Sequence, residues 1–96
     1  MELGCGIGGV LNYLKNKGYF NITGVDISQD QIDICREFIT NNVKCIDAIE
    51  YLKEETEATY DLIIMLDLIE HIKKEKIPEL LVLCKFKLND RGSIII

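Results

Sequence analysis

The sequence has no tryptophan, one proline and one histidine, and it has no apolar run of membrane-spanning length. One proline and seven glycines in 96 residues are too few for a collagen-like or low-complexity chain. The four cysteines, Cys5, Cys35, Cys45 and Cys84, form no C-x-x-C pair, and with His71 as their only histidine they lack the ligand spacing of a zinc site. They are expected to be reduced, small apolar fillers, and no metal is expected. The longest apolar run, residues 62–66, stops at Asp67, well short of the ~18 residues that would suggest a span. Met1 leads into an acidic residue and not a basic signal region, so a cytoplasmic chain without a membrane partner is expected. Positive charge is also scarce: 11 Lys and Arg against 16 Asp and Glu leave a net charge of -5. Phosphate backbones would be repelled over most of the surface, so no nucleic-acid partner is expected.

What remains is 48% apolar and 28% charged, the composition of one globular domain covering residues 1–96. Short apolar runs alternate with stretches of helical spacing, a βαβ pattern. Residues 1–3 form the tail of a strand. The cluster Gly4-Cys5-Gly6-Ile7-Gly8-Gly9 then leads into a helix with Val10, Leu11 and Leu14 on one face, ended by Gly18 as a left-handed residue. Residues 22–27 form a second strand. Ser28 with Gln31 gives a capping-box signal for a helix that turns Ile32, Cys35, Phe38 and Ile39 inward and closes at Asn41-Asn42. Residues 43–46 form the third strand, and Asp47 with Glu50 caps a helix reaching about Glu55. Residues 60–66 read as a fourth strand buried on both faces. Pro78 suits the first turn of a last helix, whose buried stripe is Leu80, Leu81, Leu83, Cys84 and Leu88. Asn89-Asp90-Arg91-Gly92 reads as a turn into a fifth strand, residues 93–96.

In such a sheet, ligands collect outside the carboxyl ends of the strands. Gly4, Gly6, Gly8 and Gly9 lie between the first strand and the first helix, where missing β-carbons let the backbone turn and approach a ligand. Asp26 ends the second strand 22 positions after Gly4, the distance at which a carboxylate accepts from ribose hydroxyls. Together they imply an adenosine-containing ligand. Gly4-x-Gly6-x-x-Gly9 also matches the dinucleotide fingerprint, which keeps an NAD-dependent oxidoreductase domain as an alternative.

Glu2-Leu3-Gly4-Cys5-Gly6-Ile7-Gly8 resembles the acidic-x-Gly-x-Gly-x-Gly motif of class I S-adenosylmethionine-dependent methyltransferases, whereas dinucleotide-binding domains normally have an apolar residue at the position of Glu2. The resemblance continues, in family order, through Gly24-Val25-Asp26-Ile27-Ser28, Cys45-Ile46-Asp47-Ala48, Tyr60-Asp61-Leu62-Ile63 and Leu68-Ile69-Glu70-His71. It implies a three-layer α/β sandwich with a Rossmann-like parallel sheet of about five strands in order 3-2-1-4-5, and S-adenosyl-L-methionine as cofactor. By the same resemblance, Gly4, Gly6 and Gly8 line the methionine and ribose portion, with Glu2 near the cofactor's ammonium group. Asp26 holds the ribose hydroxyls and Ile27 packs on adenine. Asp47 accepts from the adenine amine with Ala48 beside it, and Leu66 and Asp67 lie near the methionine end.

Plainer roles stand beside these. Asp47 serves equally as a helix N-cap, Glu2 and Asp67 as solvated strand ends, and Cys5 as a small spacer. His71 could act as general base toward an acceptor hydroxyl, since an imidazole titrates near neutral pH, or it could simply orient its loop. Asp67-x-x-Glu70-His71 also looks like a metal cluster of some O-methyltransferases, but the sequence has no second histidine. The resemblance favours a small-molecule acceptor and also implies a helix before the first strand and a C-terminal antiparallel hairpin, neither of which lies in these residues. The chain is therefore expected to be a core truncated at both ends, with a homodimer through its exposed last strand. A cofactor- or partner-binding module without catalysis is the other alternative.

Overall fold

Short apolar strands joined by helices with one apolar stripe can bury both only if helices cover both faces of a parallel sheet. The computed structural model, which describes residues 1–56 and 59–96, has that architecture. The elements run β1 (Glu2–Leu3), α1 (Gly9–Asn16), β2 (Gly24–Asp26), α2 (Gln29–Phe38), β3 (Val43–Cys45), α3 (Ala48–Glu54), β4 (Tyr60–Ile64), α4 (Ile77–Lys87) and β5 (Leu88–Ile95). Short 3-10 turns at Ile69–His71 and Lys74–Lys76 bridge β4 and α4. All neighbouring strands are parallel, in the expected order β3-β2-β1-β4-β5. Glu2 pairs with Gly24 on one side and Ile64 on the other.

Two apolar clusters give the three layers. Leu11 of α1 and Ile32 and Cys35 of α2 pack with Cys5, Ile22 and Val43 on one face. Ala48, Ile49 and Leu52 of α3 and Leu80 and Cys84 of α4 pack on Leu3, Val25, Ile63 and Met65 on the other. The chain therefore winds outward from β1 to β3, then crosses to β4 and winds the other way, which opens a crevice between β1 and β4 at their carboxyl ends.

Local chemistry explains the helix starts. The Ser28 hydroxyl accepts from the Gln31 N–H at 3.4 Å, and Asp47 Oδ2 accepts from the N–H groups of Ile49 (3.0 Å) and Glu50 (3.1 Å). Pro78 sits in the first turn of α4, and Gly18 takes φ 93° after α1.

Several expectations are corrected. Phe38 is 73% exposed and Leu81 is also exposed. Each stands roughly 90° around its helix from the buried pair it was grouped with, Ile32 and Cys35 or Leu80 and Cys84. The buried third position in α4 is Lys87, whose aliphatic stem covers the core. Residues 89–92 are not a turn before a strand. They form a bulge inside β5, since Tyr60 pairs with Leu88 and Leu62 with Ser93. Gly92 permits the bulge, because a β-carbon there would lie 2.9 Å from Leu88 Cδ2 and 3.0 Å from the Tyr60 carbonyl oxygen. Leu88 thus belongs to β5 and not to the stripe of α4.

Among the described residues no helix is long and apolar enough to cross a membrane, and no group of three His, Cys, Asp or Glu side chains could hold a metal ion. The four cysteines are unpaired.

Candidate functional site

Between β1 and α1 the backbone turns through three left-handed glycines, Gly4 (φ 76°), Gly6 (φ 55°) and Gly8 (φ 95°), a conformation costly for any residue with a β-carbon. The start of the turn is held to β2 by the N–H groups of Gly4 and Cys5, which both donate to the Val25 carbonyl, at 2.8 and 2.9 Å. The Asp26 carboxylate fixes the rest. Its Oδ2 accepts from the Gly6 N–H and its Oδ1 from the Ser28 N–H, each at 2.9 Å, so one side chain ties the glycine loop to the head of α2. Gly24 lets α1 and the loop lie close on the sheet. A β-carbon there would meet Leu11 Cδ1 at 2.8 Å and Cys5 Sγ at 2.9 Å.

A cavity of about 570 Å³ opens over this loop at the β1–β4 crevice. Of the residues predicted from the sequence, Glu2, Gly4, Gly6, Asp26, Ile27, Leu66, Asp67 and His71 line it. Gly8, Asp47 and Ala48 do not. Gly8 is buried against α2, where a β-carbon would come within 2.5 Å of Cys35 Sγ. Asp47 caps α3, and Ala48 is buried in the core. Cys5, Gly9, Val10, Gln31 and Leu68 also line the cavity. Gln31 was legible only as a capping partner. The Ser28 N–H that a capping box would assign to it goes to Asp26, and the Gln31 carboxamide lies over Gly6, with Oε1 3.0 Å from where a β-carbon would sit.

The lining is strongly one-sided in charge. It holds three carboxylates, Glu2, Asp26 and Asp67, and no lysine or arginine among the described residues. Glu2 is 4% exposed and its Oε1 has no hydrogen-bond partner among them. Burial raises its carboxyl from 4.5 to about 7, the Met1 ammonium opposing and Asp26 adding to the rise. Burial likewise pushes the Cys5 thiol to about 12, with Cys35, Glu2 and Asp26 contributing, so it stays neutral and acts as a spacer. Asp67 takes φ 55°, a left-handed conformation that aspartate tolerates better than most residues, at the exposed exit of β4. His71 is exposed on its 3-10 turn, and no hydrogen bond holds its imidazole among the described residues. Ile27, at 75% exposure, and Leu66, at 42%, present apolar surface at the rim.

A larger cavity, about 850 Å³, lies at the opposite, amino end of the sheet among Tyr19, Phe20, Tyr51, Tyr60 and Leu62. It has no glycine loop and lies away from the crevice between β1 and β4, so its size does not make it the site.

Known proteins resemble the chain along nearly its whole length. An O-methyltransferase of ubiquinone biosynthesis from Rickettsia bellii is 32% identical over 102 aligned residues, which cover the whole of this chain and 40% of that protein. The crystal structure of an S-adenosylmethionine-dependent methyltransferase from Archaeoglobus fulgidus superposes with a TM-score of 0.87 at 35% identity, covering 97% of this chain and 41% of that one. A plantazolicin methyltransferase crystallised with a pentazolic desmethylPZN analog and SAH superposes with a TM-score of 0.79 at 27% identity, covering 97% of this chain and 35% of its own. The chain thus spans about 40% of the length of the first curated relatives it matches. Residues 1–94, which hold its glycine turn and all but the last residue of its five-stranded sheet, are matched by the family model described as a methyltransferase domain, and the chain belongs to that family.

Proposed function

We propose that this chain is the cofactor-binding core of an S-adenosylmethionine-dependent methyltransferase acting on a small-molecule acceptor. The observation that carries the reading is the charge of the crevice: three carboxylates and no lysine or arginine among the described residues. A nicotinamide dinucleotide would bring a pyrophosphate into that field with no cationic side chain to meet it, whereas a ligand bearing ammonium and sulfonium groups is attracted. The residues fit such a ligand. The buried Glu2 Oε1 lacks a partner among the described residues, and Gly4 and Gly6 form a cradle that β-carbons would narrow. Asp26 already accepts two backbone N–H groups, yet a carboxylate offers about four acceptor positions, which leaves capacity for ribose hydroxyls. Ile27 and Leu66 supply exposed apolar surface for a planar ring and an aliphatic chain.

When bound, the cofactor supplies a methyl group already activated by its sulfonium. In this reading the chain's own contribution is alignment and exclusion of water, and His71 at the cavity wall takes a proton from an acceptor hydroxyl. A small acceptor is supported by relatives named for ubiquinone biosynthesis and plantazolicin.

Calorimetric titration tests the reading. S-adenosylhomocysteine should give saturable heat that Asp26→Ala weakens about ten- to a hundredfold, the loss of charge-assisted hydrogen bonds worth ~1.5 to 3 kcal/mol. Saturable heat from a nicotinamide dinucleotide and none from S-adenosylhomocysteine would sink it. Turnover of labelled methyl donor with metabolite extract separates an enzyme from a binding module.

A further inference from the structure

Glu2 is the one cavity carboxylate that is both buried and incompletely satisfied: it is 4% exposed, and its Oε1 faces no donor among the described residues. Its paired neighbours, Gly24 on β2 and Ile64 on β4, offer no polar side chain. We propose that the cavity takes up its cationic ligand in exchange for a proton held on Glu2, so that ligand binding is coupled to proton release. The identity of the ligand rests on the function proposed above; the exchange rests on the geometry of Glu2.

The groups facing Glu2 determine the direction of the exchange. Asp26 on β2 repels its charge, and the Met1 ammonium just before β1 attracts it. The thiols of Cys5 from the loop and Cys35 from α2 stay neutral, both raised chiefly by burial. Asp67 and His71 lie on the wall formed after β4, and α1 contributes only Val10 and Gly9. Without a ligand, therefore, two carboxylates share a poorly hydrated site that has one ammonium beside it, and the buried one keeps its proton up to a pH of about 7. A ligand ammonium or sulfonium entering the cavity supplies the missing positive charge. The O–H bond of Glu2 breaks, the proton passes to buffer, and the carboxylate pairs with the ligand cation.

Titration with S-adenosylhomocysteine in buffers of different ionisation enthalpy counts the protons. Release should approach one per ligand at pH 6, fall to about half at pH 7 and vanish by pH 8. Affinity should rise close to tenfold per pH unit well below pH 7 and level off above it. His71 also lines the cavity, so two variants are compared. Glu2→Gln should abolish the release, and His71→Gln should keep it; the opposite pattern, or saturable binding with no proton exchange at pH 6, overturns the inference while leaving the ligand reading intact. No saturable binding at any pH overturns both. Should Glu2→Gln fail to fold, carboxyl-carbon NMR of the unliganded wild type reads the same group. A Glu2 midpoint near 7 supports the exchange, and one below about 5 refutes it.

Discussion

At the carboxyl end of the strands, Gly4, Gly6, Gly8 and Asp67 take left-handed backbone conformations and Glu2 buries an oxygen without a hydrogen bond among the described residues. At the amino end, Gly18 is the one described residue with positive φ, and the hydroxyls of Tyr51 and Tyr60 pair at 3.2 Å over the larger cavity. There the two part-buried hydroxyls satisfy each other, and burial pushes the Tyr60 hydroxyl upward, keeping it neutral. Cavity volume therefore points to one end, while strain and unsatisfied polarity point to the other, where the proposed site lies. A site that must accept polar ligand atoms has to hold groups that the fold alone leaves unpaired.

Substitutions should separate the two ends by size of effect. Gly8→Ala should destabilise most, by about 2 to 4 kcal/mol in urea unfolding, combining left-handed strain with the 2.5 Å clash on Cys35 Sγ. Adding Cys35→Ala should recover the clash portion and leave the strain; full recovery would show that the left-handed turn costs nothing. Glu2→Gln should act in the other direction. The folded carboxyl titrates at about 7 and an ordinary one at 4.5, so between those values the folded state holds a proton that the unfolded state has lost, and stability falls as pH rises. Thermal melts should show the variant more stable than wild type by up to about 3 kcal/mol above pH 7, with no difference below pH 4.5. Equal melts at pH 8 would remove the contrast between the ends. Tyr60→Phe at the amino end should cost about 1 kcal/mol or less and leave S-adenosylhomocysteine affinity unchanged by calorimetry; a tenfold loss of affinity would mean that the larger cavity contributes to binding.

The features legible in the sequence depend on local chemistry or on connection rules. Ser28 and Asp47 cap their helices because a short oxygen-bearing side chain before an apolar repeat can do little else so well, and alternating elements restrict the strand order. Legibility failed where the same residues serve two geometries. Asn89-Asp90-Arg91-Gly92 has the chemistry of a turn and also that of a bulge, and the pairing of Leu62 with Ser93 decides between them. Phe38 looked buried because spacing by three was followed past the point where it leaves the face set by Ile32 and Cys35. At the site, Gly8 was readable as a left-handed loop residue but not as the one that faces Cys35 instead of the cavity. The missing partner of Glu2 arises from neighbours on β2 and β4 that are distant in sequence.

The double acceptance by Asp26 has a consequence in entropy. Because the carboxylate ties the Gly6 N–H to the Ser28 N–H before any ligand arrives, the loop's conformational freedom is already spent in folding. A ligand meets a loop that is already arranged, and the favourable energy of each contact it makes there goes into holding the ligand and not into ordering the loop.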